Sequence, residues 1–450
     1  MRSDSYYRAA AHRERAWAVA LAIVLLVVAG LAGCGGFGQP SSMAPTPLTP
    51  EAAQPGTTPA RQAASTPPAQ PFDEAVVQAA DKLFSSAASA AGSTPGAPQA
   101  LVIDPLIDEA TGFRSAATRS MQSQIVDLAR AKYPQFEVQE LTRETLAQKP
   151  LALLGSLAGL PADGTNAGTP EAYRIWLVLA DLQSGRIVAK GAGRATSEGI
   201  DLTPAVFDRE SPGWARDRYV AGYLATCGGK VGDPIDPAYL DGIQTAALVR
   251  AATDAYEAGR YEEALDLYEQ ASATPAGDQL RVHNGLYLAN WQLDRRDQAA
   301  EAFAGLVDYG LRNDKLAIRF LFKPGTATFW PPELARPYPM WLEQLAQETA
   351  NSSACLEVTG HTSPTGSTAL NERLSLRRAE YVMHRLQEEA PQIGSRMIAN
   401  GMGSRQSIVG TGTDDVTDAV DRRVEFRALD CRPAAGTAAS GQTVDPRLAG

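Results

Sequence analysis

Leu356 and Val358 alternate with Glu357 and Thr359, a period of two that predicts a short strand. Residues 360–367, GHTSPTGS, break the pattern, because their glycines and proline continue neither regular structure. Ser367 is placed to cap a helix, where its hydroxyl accepts an otherwise unpaired first-turn N–H. Beyond it Ala379, Val382, Met383 and Leu386 recur at helical spacing and make one apolar stripe. Arg378 lies about 100° from Ala379 at the stripe's edge, and Arg377, roughly 160° away, faces solvent. A second alternation follows in DRRVEF (421–426), where Val424 and Phe426 are separated from one another by Glu425 and preceded by Arg423.

The same reading of the preceding chain predicts an α/β region over residues 72–230. Residues 100–103 and 136–138 read as strands, and Met121, Ile125 and Leu128 as one helix face. Residues 173–180 are apolar on both faces, as in a buried strand. Ser184-Gly185 turns the chain back into 186–192, which makes a hairpin. Gly191, Gly193 and Gly199 follow a strand but miss the dinucleotide-binding spacing, so they are expected to be turn residues. Over residues 240–312 one pattern occurs twice. Ala255, Tyr256, Gly259, Ala264 and Tyr268 map onto Asn290, Trp291, Asp294, Ala299 and Phe303 at a constant offset of 35. Residues 317–322 then predict a strand, and 339–349, with Trp341, Leu342 and Leu345, a helix.

Composition changes the picture at the two ends. Arg2, Arg8, Arg13 and Arg15 precede an apolar run of 18 residues, 16–33, a length shared by secretory signals and membrane spans. Residues 34–71 are rich in Pro, Ala, Thr, Ser and Gln, and such a stretch cannot bury enough apolar surface to offset chain entropy. It is expected to be a disordered tether, and 432–450 a disordered tail. The formal charge is −10, and removal of the basic leader makes the remainder more acidic. No basic patch of the nucleic-acid type occurs. No nucleophile elbow, P-loop, zinc helix or paired carboxylate motif is present, so a binding protein without cofactor is expected rather than an enzyme.

Gly360, His361, Thr362, Gly366, Asn371, Leu374, Ser375, Arg378 and Ala379, followed by Gly401 to Gly403 and DRRVEF, resemble the OmpA-like peptidoglycan-binding domain. The resemblance implies a βαβαβ fold over 316–431 that clamps the diaminopimelate residue of the cell-wall stem peptide. It places Thr362, Ser363, Gly366, Asn371, Leu374, Arg378 and Arg423 at the ligand. Arg378 would grip a carboxylate through its planar fork. A lone arginine at a helix edge is otherwise most often a solvated charge. Arg423 has two readings, lining the pocket or pairing with the neighbours of Glu425. The family's aspartate after the threonine is here Ser363, which removes a formal charge and weakens the expected grip. His361 has no metal-ligand partners at zinc-type spacing, so it is expected to pack beside the site.

Three further resemblances complete the expectation. Leu31-Ala32-Gly33-Cys34 is similar to the lipobox of bacterial lipoproteins, which implies cleavage after residue 33 and acylation of Cys34. Gly35 after it suggests sorting to the outer membrane, facing the periplasm. The doubled pattern resembles the tetratricopeptide repeat, whose period is about 34 residues. Two copies are too few to stand alone and should pack on a neighbour. VIDPLID (102–108) and residues 173–191 are similar to domains of lipoproteins that activate penicillin-binding proteins or assemble flagella and curli. They imply a docking surface for an envelope protein partner. Cys355 opens one strand and Cys431 follows another of the same sheet, so a disulfide joins them if the strands run antiparallel. The fold class expected is thus α/β multidomain with a short all-α pair in the middle. The expected function is an outer-membrane lipoprotein that binds peptidoglycan. The alternative is a periplasmic assembly or activator scaffold whose wall binding is weak or lost.

Overall fold

The computed structural model describes residues 68–90, 98–160, 170–313, 316–408, 410, 412, 414, 417–429 and 431. The apolar leader, Cys34, nearly all of the 34–71 stretch and the tail from 432 lie outside the described residues.

The first part contains α1 (Phe72–Ala90), β1 (Gln99–Ile103), β2 (Ile107–Asp108), α2 (Ala116–Lys132), β3 (Phe136–Gln139) and α3 (Arg143–Ala147). It continues with β4 (Leu151–Leu160), β5 (Ala172–Asp181), β6 (Arg186–Thr196), α4 (Val206–Glu210) and α5 (Arg218–Gly228). The sheet runs β3-β1-β4-β5-β6, with β2 also on β4. β1, β3 and β4 are parallel, and β4, β5 and β6 form an antiparallel meander. Leu101, Ile103, Leu153 and Leu177 pack under α1 and α2, while Val102, Ala152, Leu154 and Val178 face α5 and the next helix.

Two expectations change here, and one strand had no forecast at all. β4 carries Leu, Ala and Gly without a β-branched residue, so nothing in its composition marks it as a strand. Gly191 and Gly193 are not turn residues. They lie inside β6 beneath α1, where a Cβ would stand 2.0 Å from the Ala79 carbonyl oxygen and 2.6 Å from that of Ala75. Their role is to let a helix backbone touch the sheet. Gly199, at φ 77°, does turn the chain. The 34–71 stretch also does not stay unpaired to its end: Gln70 exchanges backbone hydrogen bonds with Arg194 and Thr196 at the edge of β6.

Four helices follow: α6 (Pro237–Glu257), α7 (Tyr261–Ser272), α8 (Leu280–Gln292) and α9 (Arg296–Arg312). Ala255, Tyr256, Ala264, Tyr268, Ala299 and Phe303 are all buried. Gly259 and Asp294, equivalent in the doubled pattern, both end a helix with positive φ, 75° and 58°.

The C-terminal part contains β7 (Phe320–Leu321), α10 (Pro332–Ala335), α11 (Tyr338–Asn351), β8 (Cys355–Gly360), α12 (Thr368–Glu389), β9 (Met397–Gly401) and β10 (Arg423–Leu429). Its sheet runs β7-β10-β8-β9, with β8 and β9 parallel across α12 and β10 antiparallel to β8. The strand expected at 317–322 shrinks to β7, because Ile318 instead bridges Gly213 and Phe322 bridges Phe329. Trp341 of α11 stacks on Phe303 at 5.2 Å, and its Nε1 donates to the Tyr287 hydroxyl at 2.9 Å. The helical pair and the C-terminal sheet therefore share one apolar core.

Leu429 sits opposite Cys355, and the chain then brings Cys431 to a disulfide with Cys355, the Cα atoms 5.1 Å apart. Cys431→Ser should lower the unfolding free energy by about 3 kcal/mol, since the bond closes a long loop. Urea unfolding without reductant measures this, and an unchanged midpoint would remove the loop-closure account. Cys227 is a buried free thiol, and burial pushes its pKa upward.

Candidate ligand-binding site

The loop at 361–367 leaves β8 where α12 crosses the sheet. Gly360 is required there, since a Cβ would lie 1.9 Å from the Ser375 carbonyl oxygen. Ser375 holds the junction: its hydroxyl accepts from the Gly403 N–H and donates to the Glu372 carbonyl, both at 2.9 Å. The loop itself is fastened at several points. His361 N–H donates to the Arg423 carbonyl at 2.8 Å and Thr362 N–H to that of Gly403 at 2.9 Å. Asn371 Nδ2 donates to the Thr365 carbonyl at 3.0 Å, and Gly366 supplies a φ of 87°. Ser367 caps α12 by accepting from Leu370 N–H.

Arg378 is fully buried. Nε donates to the Thr326 carbonyl at 2.8 Å, Nη1 to His361 at 2.8 Å and Nη2 to Lys323 at 3.0 Å. The turn at 323–326 thus closes over the guanidinium, and each of its nitrogens already serves a backbone oxygen. Burial first, then Arg422, lowers its pKa to about 9, so it stays charged at neutral pH. Arg377, one position earlier, is exposed.

A carboxylate nevertheless reaches the loop. Asp414 accepts from the Ser363 hydroxyl at 2.5 Å, from Thr365 at 2.8 Å and from Arg422 Nη1 at 3.3 Å. Its backbone adopts a φ of 60° and donates its N–H to Asp418 Oδ2 at 2.9 Å. Asp421 accepts from the N–H groups of Ile408 and Gly410. Burial pushes the Asp414 carboxyl up. The two hydroxyls and the Arg422 charge outweigh it and hold the group below the usual carboxylate range.

A family profile described as the OmpA family matches residues 321–420. Residues 321–420 form an OmpA family domain. Solved structures similar to part of the chain include the peptidoglycan-associated lipoprotein from Burkholderia pseudomallei, 22% identical over 25% of this chain and 89% of that one, TM-score 0.22. A putative MotB like protein from Desulfovibrio vulgaris is 20% identical over 33% of this chain and 99% of that one, TM-score 0.22. The LpoB C-terminal domain from Salmonella enterica is 14% identical over 28% of this chain and 98% of that one, TM-score 0.19. No curated protein matches.

Within the OmpA domain, Thr362, Ser363 and Gly366 lie on the loop, Asn371 reaches it from the first turn of α12, and Leu374 and Arg378 are buried further along that helix. Arg423 is bonded away from the loop. It donates to Glu425 at 2.6 Å and to the Gln406 carbonyl, so the arginine that reaches the loop's carboxylate is Arg422. His361 is buried beside this ion pair, with neither ring nitrogen hydrogen-bonded and Glu425 Oε2 at 3.6 Å. Burial foremost lowers its pKa to about 3, so the ring is neutral. Among the described residues no cluster of His, Cys, Asp or Glu could hold a metal ion. Sequence reasoning missed Arg422 and Asp414. Arg422 stood next to the residue chosen, but no periodicity in TGTDDVTD indicated that Asp414 would return to the loop.

Proposed function

We propose that this chain is a lipid-anchored envelope protein whose OmpA domain binds peptidoglycan without a covalent bond. The observation that carries the reading is the OmpA family match at 321–420 together with a fastened 361–367 loop against which the Asp414 carboxylate is fixed. The ligand proposed is the diaminopimelate end of a stem peptide. Thr362, Ser363, Gly366, Asn371 and Leu374 form its cradle, and Arg378 is reached when the 323–326 turn opens. The proposed organisation is a cleaved leader at 1–33, acylated Cys34 in the outer membrane and a tether to 71. After it come an α/β domain at 72–230, a tetratricopeptide-like pair at 240–312 and the wall-binding domain at 316–431, facing the periplasm. The regions between tether and OmpA domain recruit an envelope protein partner, and no catalytic step is assigned. No described helix is long and apolar enough to cross a membrane.

Co-sedimentation with purified sacculi tests this. The detergent-solubilised chain should pellet with sacculi, and excess soluble diaminopimelate stem peptide should release it. A second reading, an assembly or activator scaffold with lost wall binding, is favoured by the covered guanidinium of Arg378 and by Ser363. A chain that stays in the supernatant at low ionic strength would select it.

A further inference from the structure

Position 363 offers only a hydroxyl, yet the loop is not without a carboxylate. Asp414 Oδ1 lies 2.5 Å from Ser363 Oγ, so an aspartate at 363 would push its own oxygens into the gap that Asp414 already fills. The arrangement is built rather than accidental. Asp414 is held in a left-handed conformation that is unfavourable for a non-glycine residue. The Asp418 carboxylate, fully buried, fixes its backbone N–H. Two hydroxyls and one guanidinium point at it. The carboxylate pairs with Arg422, yet its side chain stays 32% exposed and so remains open to solvent on the loop side. Arg378 and Arg422 are fully buried behind it. The part-exposed group at this edge of the loop is therefore a carboxylate, paired on its inner side with Arg422. Thr362, in the same loop, keeps its hydroxyl buried and without a partner.

We propose that Asp414 is the anionic pole of this site, receiving the ammonium group of the stem peptide's diaminopimelate end in place of a carboxylate carried by the loop itself. The carboxylate that position 363 lacks is supplied beside it by Asp414. An ammonium suits the position, since it is a compact donor of three hydrogen bonds. Asp414 Oδ2 receives only the Thr365 hydroxyl among the bonds described, which leaves it a free acceptor direction. An approaching carboxylate would meet like charge. The inference rests on the wall-binding reading.

Calorimetric titration of the detergent-solubilised chain tests it, with a stem tripeptide ending in diaminopimelate and the same peptide acetylated on the free side-chain amine. Asp414→Asn should weaken binding of the free-amine peptide at least about tenfold, as expected for loss of a charged partner. Acetylation should weaken wild type by a similar factor and affect Asp414→Asn little, because both remove the same pairing. The exchange Ser363→Asp with Asp414→Ser should restore binding, whereas Ser363→Asp alone, which crowds two carboxylates, should not. If Asp414→Asn does not fold, acetylation on wild type and the exchange variant decide. Unchanged binding in Asp414→Asn, or tighter binding as for a plug removed, would overturn the inference and leave the wall reading intact. Wild type that binds neither sacculi nor peptide would overturn the wall reading and this inference with it.

Discussion

Arg378→Ala is expected to lower the unfolding free energy by about 4 kcal/mol, far more than a typical single substitution. Three backbone oxygens, of Thr326, His361 and Lys323, lose their donors together. Each buried acceptor left without a partner costs about 1–3 kcal/mol, and water entering the vacated space recovers part of this. Phe322, whose ring lies 5.3 Å from the guanidinium carbon, also loses a packing partner. Arg378→Lys should cost about half as much, since one ammonium can serve some but not all of three separated carbonyls. Arg377→Ala, on the solvent side of the same turn, should stay within about 0.5 kcal/mol. Urea unfolding of the three variants checks the order. Equal effects at 377 and 378 would refute the burial argument. Loss of sacculus binding by Arg378→Ala is thus uninformative unless the variant is shown to be folded.

Acidification should destabilise the chain in two overlapping stages centred on His361 and Glu425. The folded-state pKa of His361 is lowered from 6.5 to about 3 by burial, with Arg423 and Arg319 acting in the same direction and Glu425 opposing. A base held neutral in the fold contributes fully above its unfolded pKa, and that contribution fades as pH falls from about 6.5 toward 3. For Glu425, burial raises the pKa, but Arg423 and Arg319 outweigh it and bring it to about 2. Its contribution is present above the ordinary glutamate value and is lost as pH falls through about 2. The His361 stage is of order 4 kcal/mol across its window. Asp208, pushed up to about 6 by burial, works oppositely, gaining stability as pH falls from 6 toward 3.8. The comparison must therefore be between variants. Urea midpoints at a series of pH values should show His361→Asn flattening the decline between pH 6.5 and 4.5 while keeping the steeper acid limb. Parallel curves for both proteins would reject the assignment.

The sequence made much of the OmpA domain visible because its elements obey local rules. The alternation at 356–359 became β8, Ser367 became a cap, and the stripe through Ala379, Val382 and Leu386 became the buried face of α12. Placing Arg378 at the stripe's edge was also local reasoning, but its burial was not. That depends on a turn more than fifty residues earlier folding over it. β4 was invisible because leucine, alanine and glycine carry no strand signal, and only its place between β1 and β5 makes it one. Gly191 and Gly193 misled for the same reason: their need is set by α1 lying on the sheet, which no window around residue 191 contains. Asp414 is the extreme case, a functional candidate supplied by a segment with no period at all.

The Trp341 contact has a mechanical consequence. Because this side chain stacks on Phe303 and bonds Tyr287, there is no greased seam between the β8–α12 layer and the helical hairpins before it. A pull on the 361–367 loop would be carried as shear through that indole into α8 and α9, so a load applied there would reach those helices directly instead of being absorbed by a swivel.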